Sequence, residues 1–341
     1  MRQPVSVIIP TYNRAAMLPR ALESVLDQLT AQDEVVVVDD GSVDRTAAVI
    51  EEIRAKRGST NGTIRYLFQD NAGAGAARNR GIREAAHDLV AFVDSDDEWL
   101  PGKASMQCAL MAARPELVVC FGDFKLRYAD GRVIDRGMVR WHQDARTWEE
   151  RLGAPMNLSE LAEWPKEQDV RVYMGDLYAA HMRACYLSAF TMMVRRSRAG
   201  AGFYFTEGIR MYEDWGCFGR LTEAGPAGFL DCDLAIQNGH REGRLTDADA
   251  FVRAVSRAVV LEEVWGADPE FLRTHGEEYR ALLDQQRVVK AAGYLSQGQP
   301  AAARAQLAQV RKAPLSYRLL AMLPAPAVRG LLALRRAIRR G

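Results

Sequence analysis

Three groups of acidic side chains are set apart by their spacing: Asp39 and Asp40 in VVVVDDGSVDRT (35–46), Asp94, Asp96 and Asp97 in FVDSDDEWLP (92–101), and Glu213 and Asp214 in YEDWGCFGRL (212–221). Carboxylates this close repel one another unless a cation or hydrogen-bond donors offset them. For the 94–97 group the fitting partner is a hard divalent cation, Mg2+ or Mn2+, bound through oxygen and bridging a diphosphate. Between the first two groups lies QDNAGAGAARNRG (69–81). Its glycines let the backbone approach a ligand closely, and Arg78 and Arg80 offer donors to phosphate. A surface turn ahead of a helix has the same composition, so the loop alone does not decide.

The elements around these groups are regular in the first third of the chain. VSVIIP (5–10), EVVVVD (34–39), IRYLF (64–68) and LVAFVD (89–94) read as buried strands. Leu18, Leu22, Val25, Leu26 and Leu29, then Val49, Ile50 and Ile53, fall at helical spacing between them. Continuous apolar strands alternating with helices predict an α/β fold, a mainly parallel central sheet with helices on both faces. Ligands of such sheets bind beyond the carboxyl ends of the strands, so Asp39, Asp40 and the 94–97 group should meet at one sheet edge. The pattern weakens over 125–185. A strand is expected in YLSAFTMMVRR (186–196), a helix in EDWGCFGRLTEAG (213–225), and mostly helix after 247.

The chain has 341 residues, 48% hydrophobic and 26% charged, which suits a globular protein with a sizeable core. Its five cysteines are widely spaced with no CxxC pair, and read as free thiols in a reducing compartment. No apolar leader opens the sequence and no window reaches the roughly 18 apolar residues of a spanning helix, so a cytoplasmic location is expected. The formal net charge of +1 hides an asymmetry. Residues 311–341 carry eight basic residues and no acidic one, while the other 37 basic residues face 44 acidic ones, a formal −7. LSYRLLAMLPAPAVRGLLALRRAIRR can lie on an anionic membrane surface or pack on the acidic body. The first reading makes the protein peripheral on the inner face of the cell membrane. An acidic body argues against specific nucleic-acid recognition, although the basic tail could bind polyanions nonspecifically.

PTYNR (10–14), VVDDGSVDRT (37–46), DNAGAGAARNRG (70–81), FVDSDDEWLP and YEDWGCFGRL resemble, in order and spacing, the signatures of family 2 glycosyltransferases with the GT-A fold. The resemblance covers 4–103 closely, 186–222 moderately and the rest thinly. It implies a Rossmann-like GT-A domain over 1–245, with a nucleotide-sugar half (1–124) and an acceptor half (125–245), then a helical region with a basic tail over 246–341. It implies inverting transfer of one sugar from a nucleoside diphosphate donor, typically a UDP-sugar, to a glycan or lipid-linked acceptor in bacterial surface polysaccharide or glycolipid synthesis. Pro10, Thr11 and Tyr12 would line the base and ribose pocket, Asp40 would bond the base, and Arg78 would lie near base and phosphates. Asp96 would face ribose or metal, Asp97 would ligate the metal, and His240 falls where some relatives place a histidine for metal or diphosphate. Asp214 would be the general base, Glu213 would help position the acceptor, and Trp215 is the tryptophan assigned to sugar stacking.

These roles suit the chemistry. A metal at the diphosphate offsets charge on the leaving group, and a carboxylate opposite takes the acceptor proton and favours the developing oxocarbenium ion. Plainer readings stand beside them. Asp39 reads as a turn residue, Asp44 and Thr46 as helix-start residues, and Glu213 and Asp214 also suit a helix N-terminus on dipole grounds. A processive synthase is disfavoured because no spanning helix or QxxRW element is present; GMVRW (137–141) is the nearest fragment. The rival from another class is a catalytically idle nucleotide-sugar-binding or scaffold protein.

Overall fold

The computed structural model describes residues 2–57, 62–138, 146–239, 249–328 and 330. The chain forms two compact units, one built from 1–207 and 213–243, the other from 208–212 and 244–341.

The first unit opens with β1 (Val5–Thr11), α1 (Leu18–Leu26), β2 (Glu34–Asp39), α2 (Thr46–Arg57), β3 (Thr63–Phe68), α3 (Ala74–Glu84) and β4 (Leu89–Phe92). The four strands run parallel in the order β3-β2-β1-β4. Side chains of a strand alternate between faces, and here both faces are covered. Val5, Val7, Ile9, Val35 and Val37 join the α1 residues Leu18, Leu22, Val25 and Leu26 in one core. Ile8, Val90 and Phe92 point the other way into a second core. This is why the strands read as unbroken apolar runs.

β5 (Glu98–Trp99) and α4 (Lys103–Ala113) follow, then β6 (Val119–Arg127) and β7 (Val133–Ile134). Over the region whose sequence pattern is weak come α5 (Trp148–Leu152), β8 (Met156–Asn157), α6 (Leu158–Leu161), β9 (Arg171–Gly175) and α7 (Tyr178–Arg183). β10 (Met193–Arg195), α8 (Arg196–Ala199), α9 (Glu213–Ala224) and β11 (Ala227–Asn238) complete the unit. The sheet continues from β4 as β10-β6-β11-β9-β8. β10 is antiparallel to both neighbours, whereas β6 and β11 are parallel. The strand expected over 186–196 is shorter than its apolar run, because Ala189–Thr191 form a 3-10 turn before β10.

The second unit is helical: α10 (Ala250–Glu263), α11 (Pro269–Ser296), α12 (Pro300–Leu307) and α13 (Leu315–Met322). Asp249 and Asp268 cap α10 and α11 through their side chains. Among the described residues, no helix is long and apolar enough to cross a membrane. All five cysteines are free thiols.

Candidate functional site

The carboxyl ends of β1, β2 and β4 lie side by side. Thr11 is in register with Asp39, and the Asp40 N–H donates to the Thr11 carbonyl at 2.9 Å. Thr11 Oγ1 is buried without a hydrogen-bond partner among the described residues, beside Tyr12, which is half exposed. A buried hydroxyl in that condition at a strand end is a place for a ligand atom.

Asp39 is a structural acid. Its carboxylate accepts from the Ser42 N–H at 2.8 Å and the Tyr66 hydroxyl at 2.7 Å. Asp44 likewise serves the α2 start, accepting from the Thr46 N–H and hydroxyl. The carboxylate of Asp40, the residue expected at the base, accepts from Gln69 Nε2 at 2.7 Å, the Ala72 N–H at 2.9 Å and the Gly73 N–H at 2.7 Å. It braces the glycine loop. Gly73, with φ of +94°, turns this loop into α3, a conformation that a side chain would strain. At Gly81 an added Cβ would come within 2.4 Å of Ile8 Cγ2, so glycine there lets α3 lie close on β1.

The ARNRG segment on α3 is largely spent inside the protein. Asn79 Nδ2 donates to the Phe205 carbonyl at 2.9 Å and to Glu207 Oε1 at 2.7 Å. Arg80 Nη1 donates to the Phe68 carbonyl at 2.6 Å. Arg78 is buried: Nη2 donates to Asp94 Oδ1 at 2.6 Å, Nη1 to Glu213 Oε1 at 3.2 Å, and the guanidinium lies 5.1 Å from the Phe205 ring centre. Burial opposes its charge, but Asp94, Glu213 and Asp214 together outweigh this and hold it firmly protonated. Arg78 therefore links the β4 end to the start of α9. Gly75 permits this closeness, since a Cβ there would stand 3.3 Å from Glu213 Cγ.

Asp214, next along α9, is half buried and its Oδ1 accepts from the Trp215 N–H at 2.8 Å. Burial, followed by the charge of Glu213, pushes its carboxyl up to about 7, against the opposing pull of Arg78. A carboxyl group titrating near neutrality suits a general base. Trp215, expected against a sugar, is a core residue instead: it is 1% exposed and its indole N–H donates to the His181 carbonyl at 2.8 Å. Helix periodicity turns position 215 inward where 213 and 214 face Arg78.

In the 94–97 loop, Asp94 takes Arg78, and Asp96 Oδ2 lies 3.8 Å from Arg14 Nη2. Asp97 is buried and its Oδ1 accepts from the Asn238 N–H at 2.9 Å, while Asn238 Nδ2 donates to the Asp96 carbonyl at 2.8 Å. Asn238, at the end of β11, was not singled out by its sequence, and it fixes the loop. Lys103 was also missed. It is fully buried, its Nζ lies 4.1 Å from the Trp99 ring centre and donates to Gln107 Oε1, and burial lowers its pKa to about 7. It packs on Trp99 of β5, the strand that follows the loop. His240 lies outside the described residues. Among those described, no three acidic, histidine or cysteine side chains converge on one point. Hard carboxylate oxygens, partly exposed at Asp96, still fit a Mg2+ or Mn2+ ion that takes most of its ligands from phosphate and water.

Residues 6–151 match the sequence model of glycosyl transferase family 2. The putative teichuronic acid biosynthesis glycosyltransferase TuaG of Bacillus subtilis is 34% identical over 133 residues, 39% of this chain and 51% of that protein. The chain spans about half or less of the length of such curated relatives, 30% and 39% for two others. Among solved structures, Staphylococcus aureus TarS residues 1–349 in complex with UDP-GlcNAc superposes with a TM-score of 0.60 at 19% identity, covering 96% of this chain and 88% of that one. The mannosyltransferase PcManGT of Pyrobaculum calidifontis, in complex with GDP-Man and Mn2+, gives 0.53 at 17% identity, covering the whole of this chain and 81% of its own. The fold is therefore the α/β glycosyltransferase fold that the motifs imply, with a helical C-terminal region.

Proposed function

We propose that the protein is an inverting glycosyltransferase that moves one sugar from a nucleoside diphosphate donor, a UDP-sugar in the first instance, to an acceptor hydroxyl. The acceptor is a glycan or lipid-linked glycan of bacterial surface polysaccharide or glycolipid synthesis, met on the cytoplasmic side of the membrane. The observation that carries this reading is the placement of Asp214: a half-buried carboxyl group held near neutrality at the head of α9, next to the Arg78 bridge to the β4 acids.

The nucleotide enters over the ends of β1 and β2, where Pro10, Thr11 and Tyr12 line the base and ribose and the loop braced by Asp40 shapes the pocket floor. Arg78 does not reach out to the phosphates. It holds Asp94 and Glu213 in place and supplies the positive charge that keeps Asp214 ionisable. The acceptor oxygen attacks the anomeric carbon from the side opposite the diphosphate. Its bond to carbon forms as the carbon–phosphate oxygen bond breaks, its proton passes to Asp214, and the nucleoside diphosphate leaves with the bonding pair. Attack from the opposite side inverts the anomeric centre. Glu213 orients the acceptor beside Asp214. A Mg2+ or Mn2+ ion held by Asp96 and Asp97, with His240 as a further candidate ligand, supplies charge to the departing diphosphate when bound.

The test is Asp214→Asn. Sugar transfer should be lost while donor binding persists; transfer at the wild-type rate would remove Asp214 from the role.

A further inference from the structure

Helix α13 is apolar on two sides. Its inner side, Tyr317, Leu320 and Ala321, packs with Leu323 and Val328 on Ala291, Leu295, Ala303 and Leu307 of α11 and α12. Its outer side carries Leu315, Leu319 and Met322, which are 67%, 56% and 66% exposed. These positions follow i, i+4, i+7, so the three side chains form one stripe along the helix. Single exposed apolar residues are ordinary, whereas a stripe of three large ones on an eight-residue helix marks an interaction surface.

The charge around the stripe has one sign. Arg311 turns back to Glu277 and Asp284. Lys312 and Arg318 are exposed and form no ion pair among the described residues. The sequence from 311 onward adds Arg329, Arg335, Arg336, Arg339 and Arg340 and no acid. A second copy of the chain seated on this stripe would set one basic surface against another, a costly arrangement. A surface rich in anionic lipid satisfies both features, apolar depth for the leucines and negative headgroups for the basic side chains.

We propose that the outer face of α13 docks the protein on an anionic lipid surface, with Leu315, Leu319 and Met322 entering the interface and Lys312 and Arg318 facing the headgroups. The inner face is already committed to α11 and α12, so the helix binds lipid without leaving its unit. This docking stands independently of the donor-site reading.

The test uses the full chain and co-sedimentation with vesicles of phosphatidylglycerol mixed into phosphatidylcholine, against phosphatidylcholine alone. The wild type should bind the mixed vesicles and not the neutral ones. Leu315→Ser/Leu319→Ser should weaken binding by about tenfold or more. Lys312→Ala/Arg318→Ala should weaken it by about tenfold as well, more at low salt. All four side chains are exposed, so both variants should unfold at the wild-type temperature and bind nucleotide as before, which separates lipid docking from the donor site. The proposal is overturned if the wild type ignores the mixed vesicles, or if the leucine variant binds them as tightly as the wild type. It is equally overturned if sedimentation velocity reveals self-association that the leucine variant abolishes, which would assign the stripe to a second copy.

Discussion

Arg78 on α3 and Glu213 at the head of α9 are joined by an ion pair of 3.2 Å across 135 positions of sequence. The same guanidinium holds Asp94 at the end of β4. One buried cation thus ties the loop that follows a central strand to the helix that carries the proposed base. Any change in its charge must be felt at Asp214.

The pH dependence of transfer should show this. Asp214 works only when ionised, so kcat/KM should rise with pH through about 7 and level off above it. Removing the Arg78 charge in Arg78→Gln leaves burial and Glu213 unopposed, so the rising limb should move to higher pH. Arg78→Lys keeps the charge and should move it less. A limb that stays in place in both variants would disconnect Arg78 from the base.

The same carboxyl group has a stability signature of known sign. Its folded value lies above the ordinary 3.8, so its contribution to stability is fully present below that value and is lost as pH rises through about 7. Asp214→Asn should therefore gain resistance to urea over the wild type at pH 8, with the difference closing below pH 4. Equal gain at both pH values would mean that Asp214 is not held near neutrality.

The rate cost of Asp214→Asn should be about 10²–10⁴-fold if it acts as the general base. Calorimetric titration with donor should give an unchanged affinity. Loss of affinity together with rate would place Asp214 in donor binding.

Asp40 offers a separate test, because its carboxylate accepts three hydrogen bonds from residues 69–73. Asp40→Ala leaves those donors without their acceptor and should cost about 2–4 kcal/mol of stability, measured by denaturant unfolding. Nucleotide affinity should fall with it as the glycine loop loosens. An affinity loss with stability unchanged would return Asp40 to direct base contact.

The parallel half of the sheet was legible in the sequence because strands buried on both faces cannot hide their apolar runs. β6 and β11 were not recognised. Gly122 and Asp123 interrupt VCFGDFKLR, and Asp231, Cys232 and Asp233 interrupt AGFLDCDLAIQN where its register with β6 shifts. The short β9 pairs with β11 and β8 pairs with β9, and both leave little local trace. In the site, the acids announced themselves through spacing, and the structure brings Asp94 and Glu213 together on Arg78. What each acid is bonded to depends on long-range partners. Asn238 on Asp97 and the His181 carbonyl on Trp215 lie outside the motifs that carry those acids and that tryptophan, so nothing local could reveal them.

The most direct test of the central claim is thermal unfolding of the wild type and Asp97→Ala with UDP, GDP, dTDP or CMP, each with and without Mn2+. A ligand that binds only the folded protein raises its stability, by about 2.7 kcal/mol at a hundred times its Kd. The account predicts that one diphosphate, UDP first, stabilises the wild type when Mn2+ is present and that Asp97→Ala loses this response. No shift with any nucleotide, with or without metal, would contradict it.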